Sequence, residues 1–113
     1  MWIRLGSFTV KPGQETQLCA TYNTQAVPKV RASPGNLACL LLEPATATDG
    51  SFLACTVWAA RADAEAYESS GTAAQVVGLV RQYFAGAPVL KSYVSESRGG
   101  LSATAAGSVR GKD

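Results

Sequence analysis

The chain has 113 residues, of which 47% are apolar and 16% are charged, and its net charge is +2. This length allows one domain with a modest core, and no apolar run approaches the roughly 20 residues that a membrane-spanning helix needs. Residues 1–97 hold seven basic and seven acidic side chains, so the excess charge lies in residues 98–113. A domain without a basic face is a poor binder of nucleic acid, because phosphate neutralisation supplies most of that affinity. The N-terminus lacks a basic segment followed by a long apolar one, so we expect no secretory signal and a cytoplasmic location.

The first half of the chain predicts one strand and one long helix. Residues 2–10 are rich in aromatic and branched side chains and predict a strand, with Arg4 and Phe8 on the same face. Pro12 suits the first turn of a helix, which should extend to about residue 32. Pro28 should kink this helix or start a separate final turn. Residues at helical spacing should face the core: Leu18, Tyr22 and Val30.

The second half of the chain predicts three more strands and two helices. Two apolar runs are separated by a turn-like loop at residues 44–51, and each run should be a strand that is covered on both faces. The first helix has carboxylates in its first turns, where they are favoured, and Thr72 is a suitable N-cap for the second. The predicted elements are strands at 36–43 and 52–60, helices at 61–69 and 72–84, and a last strand at 89–96.

The order β-α-β-β-α-β predicts an α+β fold of the ferredoxin-like, split β-α-β type. Such a fold has a four-stranded antiparallel sheet with helices on one face. We assign this domain to residues 1–97. We interpret residues 98–113, which are rich in Gly, Ala and Ser, as a C-terminal tail that is either mobile or docked on a partner subunit.

The face of the sheet away from the helices is also expected to be apolar. If it were exposed, its side chains would form a patch above the roughly 300–600 Å² found on monomers. A homodimer that packs sheet to sheet would bury the patch and leave a small pocket between sheet and helices in each subunit. The residues assigned to this face are Ile3, Leu5, Leu40, Leu42, Leu53, Val57, Leu90 and Val94.

The reactive side chains exclude several kinds of site. The chain has no histidine, which removes Ser-His-Asp and Cys-His catalysis and the usual histidine-containing metal sites. Cys19, Cys39 and Cys55 are far apart and form no Cys-x-x-Cys pair, so we interpret them as reduced, buried thiols. We therefore expect no metal and no cofactor, and any chemistry must use carboxylates, tyrosines, lysines, arginines or the reactivity of the substrate itself.

Several short motifs follow one another in a characteristic order. They are Val10-Lys-Pro-Gly13, Val27-Pro28, Ser33-Pro-Gly35, Thr56-Val-Trp58, Ala62-Asp-Ala-Glu-Ala-Tyr-Glu68, and a proline before the last strand. In this order and spacing, residues 1–97 resemble the antibiotic biosynthesis monooxygenase (ABM) family of the dimeric α/β-barrel superfamily. The resemblance implies a sheet-to-sheet dimer. Characterised members of the family include cofactor-independent oxygenases that convert anthrones or hydroquinones to quinones, and haem-degrading enzymes, and many other members have no known activity.

The catalytic positions that the resemblance implies are only partly kept. Anthrone-oxidising members use an Asn four residues before the strand Trp, the Trp itself, and a Tyr six residues after it. This chain keeps Trp58 but has Ala54 and Ala64 at the other two positions. The Asn, Trp and His of haem-degrading members correspond to Gly6, Tyr67 and Val77, so haem degradation of that type is not expected.

Trp58 and Tyr67 are the candidate catalytic residues. The indole N–H of Trp58 could bond a substrate oxygen, or the ring could simply fill the core. The hydroxyl of Tyr67 could donate to a developing phenolate, or the side chain could only pack. Arg4 could hold an anionic group of a ligand or pair with Glu43 or Glu96, because an unpaired buried guanidinium is costly. The remaining candidate ligand-binding residues are Phe8, Tyr22, Tyr83 and Phe84.

Two functions remain open at this point. The first is a cofactor-independent monooxygenase that acts on a small, electron-rich aromatic compound in an apolar pocket. The second is a non-catalytic dimer of the same fold that binds a small ligand or has a structural role.

Overall fold

The computed structural model describes residues 1–46 and 51–97. Its strands are β1 (Trp2–Thr9), β2 (Asn36–Leu42), β3 (Ser51–Trp58) and β4 (Val89–Val94). Its α-helices are α1 (Glu15–Thr21), α2 (Val27–Arg31), α3 (Arg61–Ser69) and α4 (Thr72–Val80). A π-helical turn (Tyr22–Ala26) joins α1 to α2, and a 3₁₀ turn (Arg81–Tyr83) follows α4.

The four strands form one antiparallel sheet in the order β2-β3-β1-β4. The helices lie on one face of this sheet, which confirms the predicted α+β ferredoxin-like fold. In the register, Gly6 of β1 faces Ala54 of β3, and Arg4 faces Thr56. Because directly opposed residues of an antiparallel pair share a face, these four residues lie on the helix side of the sheet.

The helix predicted from Pro12 to residue 32 begins at Glu15 instead of Pro12, and it is divided into three segments. Pro28 has no N–H to donate to the carbonyl four residues earlier, and its ring clashes with that carbonyl, so the regular ladder opens before it. The chain accommodates this with the π turn at Tyr22–Ala26, and Pro28 then lies in the first turn of α2. The predicted disturbance near Pro28 is therefore confirmed, and its consequence is a widened turn at Tyr22.

The core lies between the sheet and the helices. The largest fully buried side chains are Trp58, Leu18 and Val30, and Tyr22 is also buried. The prediction that Leu18, Tyr22 and Val30 face inward is therefore confirmed. Phe8 packs between Phe52 and Phe84, with ring centroids 5.9 Å and 4.5 Å away.

The outer face of the sheet is apolar, but two residues were assigned to it wrongly. Leu90 faces Gly6 and Val94 faces Trp2, so both lie on the helix side. The alternation of β4 is offset by one residue from the expected pattern, and its outward positions hold Val89, Lys91 and Tyr93. The outer face of β2 keeps its predicted apolar character, with Leu40 and Leu42 exposed by 53% and 42%.

Some predicted features fall outside the described chain. Residues 47–50 of the β2–β3 loop and the predicted tail at 98–113 lie beyond the described residues. The helix predicted for 72–84 ends as α-helix at Val80 and tightens into the 3₁₀ turn. Among the helices of the described ranges, none has the length and apolar character needed to cross a bilayer.

Candidate functional site

A mainly apolar cavity of about 150 Å³ lies between the sheet and the helices. It exists because Gly6 and Ala54 face each other on the sheet and Ala64 lies in α3, so small residues leave space on both sides. A dry cavity of comparable size holds a benzene molecule, so the enclosed part of this one suits a single ring. The sheet lines it with Arg4, Gly6, Phe8, Ala54, Thr56, Trp58 and Leu90, and the helices contribute Tyr22, Ala64, Tyr67, Glu68 and several valines.

Trp58 and Tyr67 meet in the wall of this cavity. Their ring centroids are 4.9 Å apart and the planes are tilted by 36°. The indole N–H of Trp58 donates to the hydroxyl of Thr56 at 3.0 Å, and the Trp58 side chain is fully buried. The indole N–H, which the sequence suggested as a donor to a substrate oxygen, is therefore already bonded within the protein.

Tyr67 supplies a neutral hydroxyl. Burial is the main reason that its pKa is raised to about 12, the nearby Cys39 thiol contributes, and the Arg4 guanidinium acts in the opposite direction. A phenol with this pKa stays protonated near neutral pH, so Tyr67 can donate a hydrogen bond but cannot act as a base there.

Arg4 forms the ionic contact of the cavity. Its Nη1 pairs with a carboxylate oxygen of Glu68, which extends from α3 over the sheet. The expected pairing with Glu43 or Glu96 is wrong, because Arg4 lies on the helix side and pairs there with Glu68 of α3. Glu68 thus differs from its neighbours Asp63 and Glu65, whose carboxylates bond to the Ala60 N–H and to Arg61.

The other candidates divide between the cavity and its surroundings. Phe8, Tyr22 and Phe84 line the cavity with the residues above, whereas Tyr83 does not. The hydroxyl of Tyr83 bonds Thr21 at 3.2 Å, outside the cavity. The Tyr22 hydroxyl lies 3.5 Å from the sulfur of Cys39, and burial raises the pKa of Tyr22 well above its usual range.

Sequence reasoning missed Thr56 and Glu68. Thr56 precedes Trp58 by two residues and so shares its face of β3, which is a signal that strand alternation offers. Glu68 follows Tyr67 directly on α3, but its pairing with Arg4 depends on how α3 lies over the sheet, which no local pattern indicates. Within residues 1–46 and 51–97, no cluster of three or more His, Cys, Asp or Glu side chains is placed to hold a metal ion.

Solved structures with similar folds cover most of this chain. A protein from Bordetella bronchiseptica named for antibiotic biosynthesis monooxygenases is 20% identical, with a TM-score of 0.72 over 83% of this chain and 95% of that one. A similarly named protein from Nitrosomonas europaea is 18% identical, with a TM-score of 0.70 over 85% of this chain and 99% of that one. SnoaB from Streptomyces nogalater, a cofactor-independent oxygenase whose structure is that of an asparagine-to-alanine mutant, is 14% identical, with a TM-score of 0.70 over 84% of this chain and 92% of that one.

At these identities the structures establish the shared fold. No curated protein matches the chain. The sequence model of one family, described as antibiotic biosynthesis monooxygenase, matches residues 1–78. Because this match spans more than half of the chain, the protein belongs to the antibiotic biosynthesis monooxygenase family.

Proposed function

We propose that this protein binds a small, electron-rich aromatic compound in the cavity and oxygenates it with O₂, without a metal or a flavin. The observation that carries the proposal is an apolar, single-ring-sized cavity whose wall contains the Trp58–Tyr67 contact. The family and the similar fold of a cofactor-independent oxygenase support it. Residues 1–97 form the proposed functional domain.

The reaction needs no reductant besides the substrate. For a phenol, the deprotonated ring gives one electron to O₂, and the resulting radical and superoxide combine at a ring carbon to form a peroxide. Loss of the hydrogen on that carbon and cleavage of the O–O bond release water and leave a quinone. One oxygen atom enters the product, the other leaves as water, and the substrate supplies all four electrons.

The protein's part is to favour the substrate anion and to exclude water. Tyr67 donates a hydrogen bond to the phenolate oxygen, and the positive charge of Arg4 in the same lining also favours the anion. We assign Trp58 to the wall beside the ring, because its N–H is already bonded to Thr56. Phe8, Tyr22 and Phe84 complete the apolar surroundings.

The second candidate function is binding without turnover. Ala54 and Ala64 favour it, because both line the cavity without a polar group, and they occupy the positions of two catalytic side chains in the anthrone oxidisers that the chain resembles. In that case the cavity would bind an aromatic ring and leave it unchanged.

Oxygen uptake separates the two functions. Metal-free protein is mixed with single-ring phenols and hydroquinones and, for size comparison, with an anthrone, and O₂ consumption is followed. The variant Ala54→Leu fills the cavity, and Ala20→Leu makes the same change on an exposed helical position. Saturable uptake that Ala54→Leu abolishes and Ala20→Leu retains supports the oxygenase. A ligand-induced rise in Tm without uptake supports the binding protein.

We also propose that the protein is a cytoplasmic homodimer formed through the outer face of the sheet. The apolar side chains on that face of β2, with Leu40 exposed by 53%, support the dimer. The test is the molar mass by light scattering of Leu40→Lys, compared with Gln17→Lys on an exposed helical position. A monomeric Leu40→Lys beside a dimeric Gln17→Lys supports the interface, and two unchanged masses reject it.

A further inference from the structure

The Arg4–Glu68 pair is the ionic feature of an otherwise apolar lining. The side chain of Arg4 is 24% exposed and that of Glu68 is 42% exposed, so the cation is the more deeply placed partner. A pair at this depth contributes little net stability, because the desolvation of the charges offsets most of their attraction. The stability of the fold therefore gives little reason for an arginine at position 4.

Within the part of the chain that the structure describes, the contact with Glu68 leaves one N–H group of the Arg4 guanidinium without a hydrogen-bond partner. Glu68 pairs with Nη1, whereas Nε of Arg4 is buried and has no hydrogen-bond partner among the described residues. A guanidinium can bind the two oxygens of a carboxylate along either of two planar edges, one made by Nε and Nη2 and the other by the two Nη atoms. Glu68 occupies part of the Nη1–Nη2 edge, and its side chain is the more exposed partner, so its carboxylate can turn to solvent.

The register places Arg4 next to the space for a ring. The Gly6–Ala54 pair, which opens the cavity, is followed on the same face by the Arg4–Thr56 pair. A ring above Gly6 and Ala54 would thus direct a substituent toward the guanidinium. The hydroxyl of Thr56 accepts from Trp58, and its own hydrogen remains available to an oxygen there.

We propose that the ligand is an aromatic carboxylate whose carboxylate replaces Glu68 on Arg4 while its ring fills the cavity. This inference rests on the proposed binding of an aromatic ring and narrows its ligand class to single-ring aromatic acids. A carboxylate fits better than a phosphate, because one guanidinium matches a single planar anion and Arg4 is the cationic residue of the lining.

The test compares two probes of nearly equal shape, 2,5-dihydroxybenzoate and 2,5-dihydroxybenzamide. Their binding to the full chain is measured by calorimetry under nitrogen, so no turnover is needed. Because a hydrogen-bonded charged group contributes to binding, we expect the acid to bind roughly ten- to a hundredfold more tightly than the amide. O₂ uptake is measured separately, so absence of turnover and absence of acid preference are independent results.

Three variants identify the residues responsible. Arg4→Met should remove the preference for the acid, and Arg4→Lys, which keeps the charge without the planar edge, should reduce it. Glu68→Gln removes the internal competitor, so the acid should bind about two- to fivefold more tightly. Glu65→Gln on the same helix breaks only the exposed contact with Arg61 and should change nothing. Far-UV circular dichroism verifies that each variant is folded.

Three results would overturn the proposal. They are equal binding of acid and amide to the wild type, binding of neither probe, and an acid preference that survives both Arg4 variants. If Arg4→Met does not fold, Arg4→Lys and Glu68→Gln decide the question, because a structural ion pair would lower Tm in both without moving the ratio of the two affinities.

Discussion

Gly35 should control the position of α3, the helix that carries Tyr67 and Glu68. Gly35 has a φ of +81°, and an added Cβ would lie 2.6 Å from the Cβ of Asp63 and closer still to its carboxyl group. Asp63 lies in the first turn of α3 and accepts a hydrogen bond from the backbone N–H of Ala60 at 3.2 Å. The substitution Gly35→Ala must therefore displace the group that caps this helix.

The expected cost has two parts. A left-handed backbone costs a non-glycine residue about 1–2 kcal/mol, and loss of the cap contact adds about 0.5–2 kcal/mol. We expect Gly35→Ala to lower the free energy of unfolding by about 2–3 kcal/mol after the smaller entropy of the unfolded alanine chain is included. Gly13→Ala is the matched control, because Gly13 has a φ of +82° but nothing within 4 Å of an added Cβ.

Urea denaturation of the two variants measures the difference. Gly13→Ala should show the backbone cost alone, about 1 kcal/mol. The steric part should disappear when Asp63→Gly, which removes the Cβ and the carboxyl group together, is combined with Gly35→Ala. Equal destabilisation by Gly13→Ala and Gly35→Ala, within about 0.5 kcal/mol, would refute the reasoning. So would a cost of Gly35→Ala that stays above the backbone cost of Gly13→Ala when Asp63→Gly is present.

Three further predictions concern the cavity. Thr56→Val should lower the free energy of unfolding by about 1–3 kcal/mol in thermal denaturation, because it leaves the buried indole N–H of Trp58 without its acceptor. In the Trp58→Phe background, which lacks that N–H, Thr56→Val should cost less than half as much. Equal costs in the two backgrounds would contradict the argument. Folding stabilises the neutral form of Tyr67, whose pKa is raised to about 12, so this stabilisation is present below about pH 10 and is lost as the pH rises toward 12. The free energy of unfolding of Tyr67→Phe should therefore fall less than that of the wild type between these pH values. Identical pH profiles of the two proteins would exclude Tyr67 as the cause. Gly6→Ala should change Tm by no more than about 3 °C, because its new Cβ lies 3.1 Å from the Cδ2 of the exposed Leu90, which can move. The same substitution narrows the cavity and should measurably weaken binding of the 2,5-dihydroxybenzoate probe. An unchanged affinity would place the ligand elsewhere.

The sequence predicts most of the fold because strand alternation and helix stops are local signals. The boundaries of α3 at residues 61–69 follow from its acidic first turn and the Ser-Ser-Gly that ends it. The alternation of β4 could not be predicted, since residues 89–94 carry apolar side chains on both faces, and the register with β1 alone decides that Leu90 faces Gly6.

The sequence predicts the arrangement of the candidate site only where the residues concerned lie on the same strand or helix. Arg4 and Phe8 share a face because they lie four residues apart on β1, and the cavity confirms that they point toward the helices. The partner of Arg4 depends instead on how α3 crosses the sheet, which is a tertiary property. Tyr83 falls within the helix predicted for 72–84, but the chain leaves α-helical geometry after Val80, and the hydroxyl of Tyr83 in the 3₁₀ turn bonds to Thr21.

The composition of the cavity indicates where selectivity must arise. Ala54 and Ala64 supply space but no hydrogen bonds, so the apolar wall can retain a ring without fixing its orientation. Orientation then depends on the polar groups at one end, Arg4 and Thr56, and on the hydroxyl of Tyr67. Because these groups act in an apolar and partly closed site, each hydrogen bond is stronger than it would be in water, and each unmatched group is correspondingly costly. The proposed ligand, with an anionic group at one end and a phenol on the ring, would bond to these groups together, whereas a neutral hydrocarbon ring would bond to none of them. For the proposed aromatic ligand, the small residues that make room for a ring thus leave the choice between rings to the Arg4 end of the cavity.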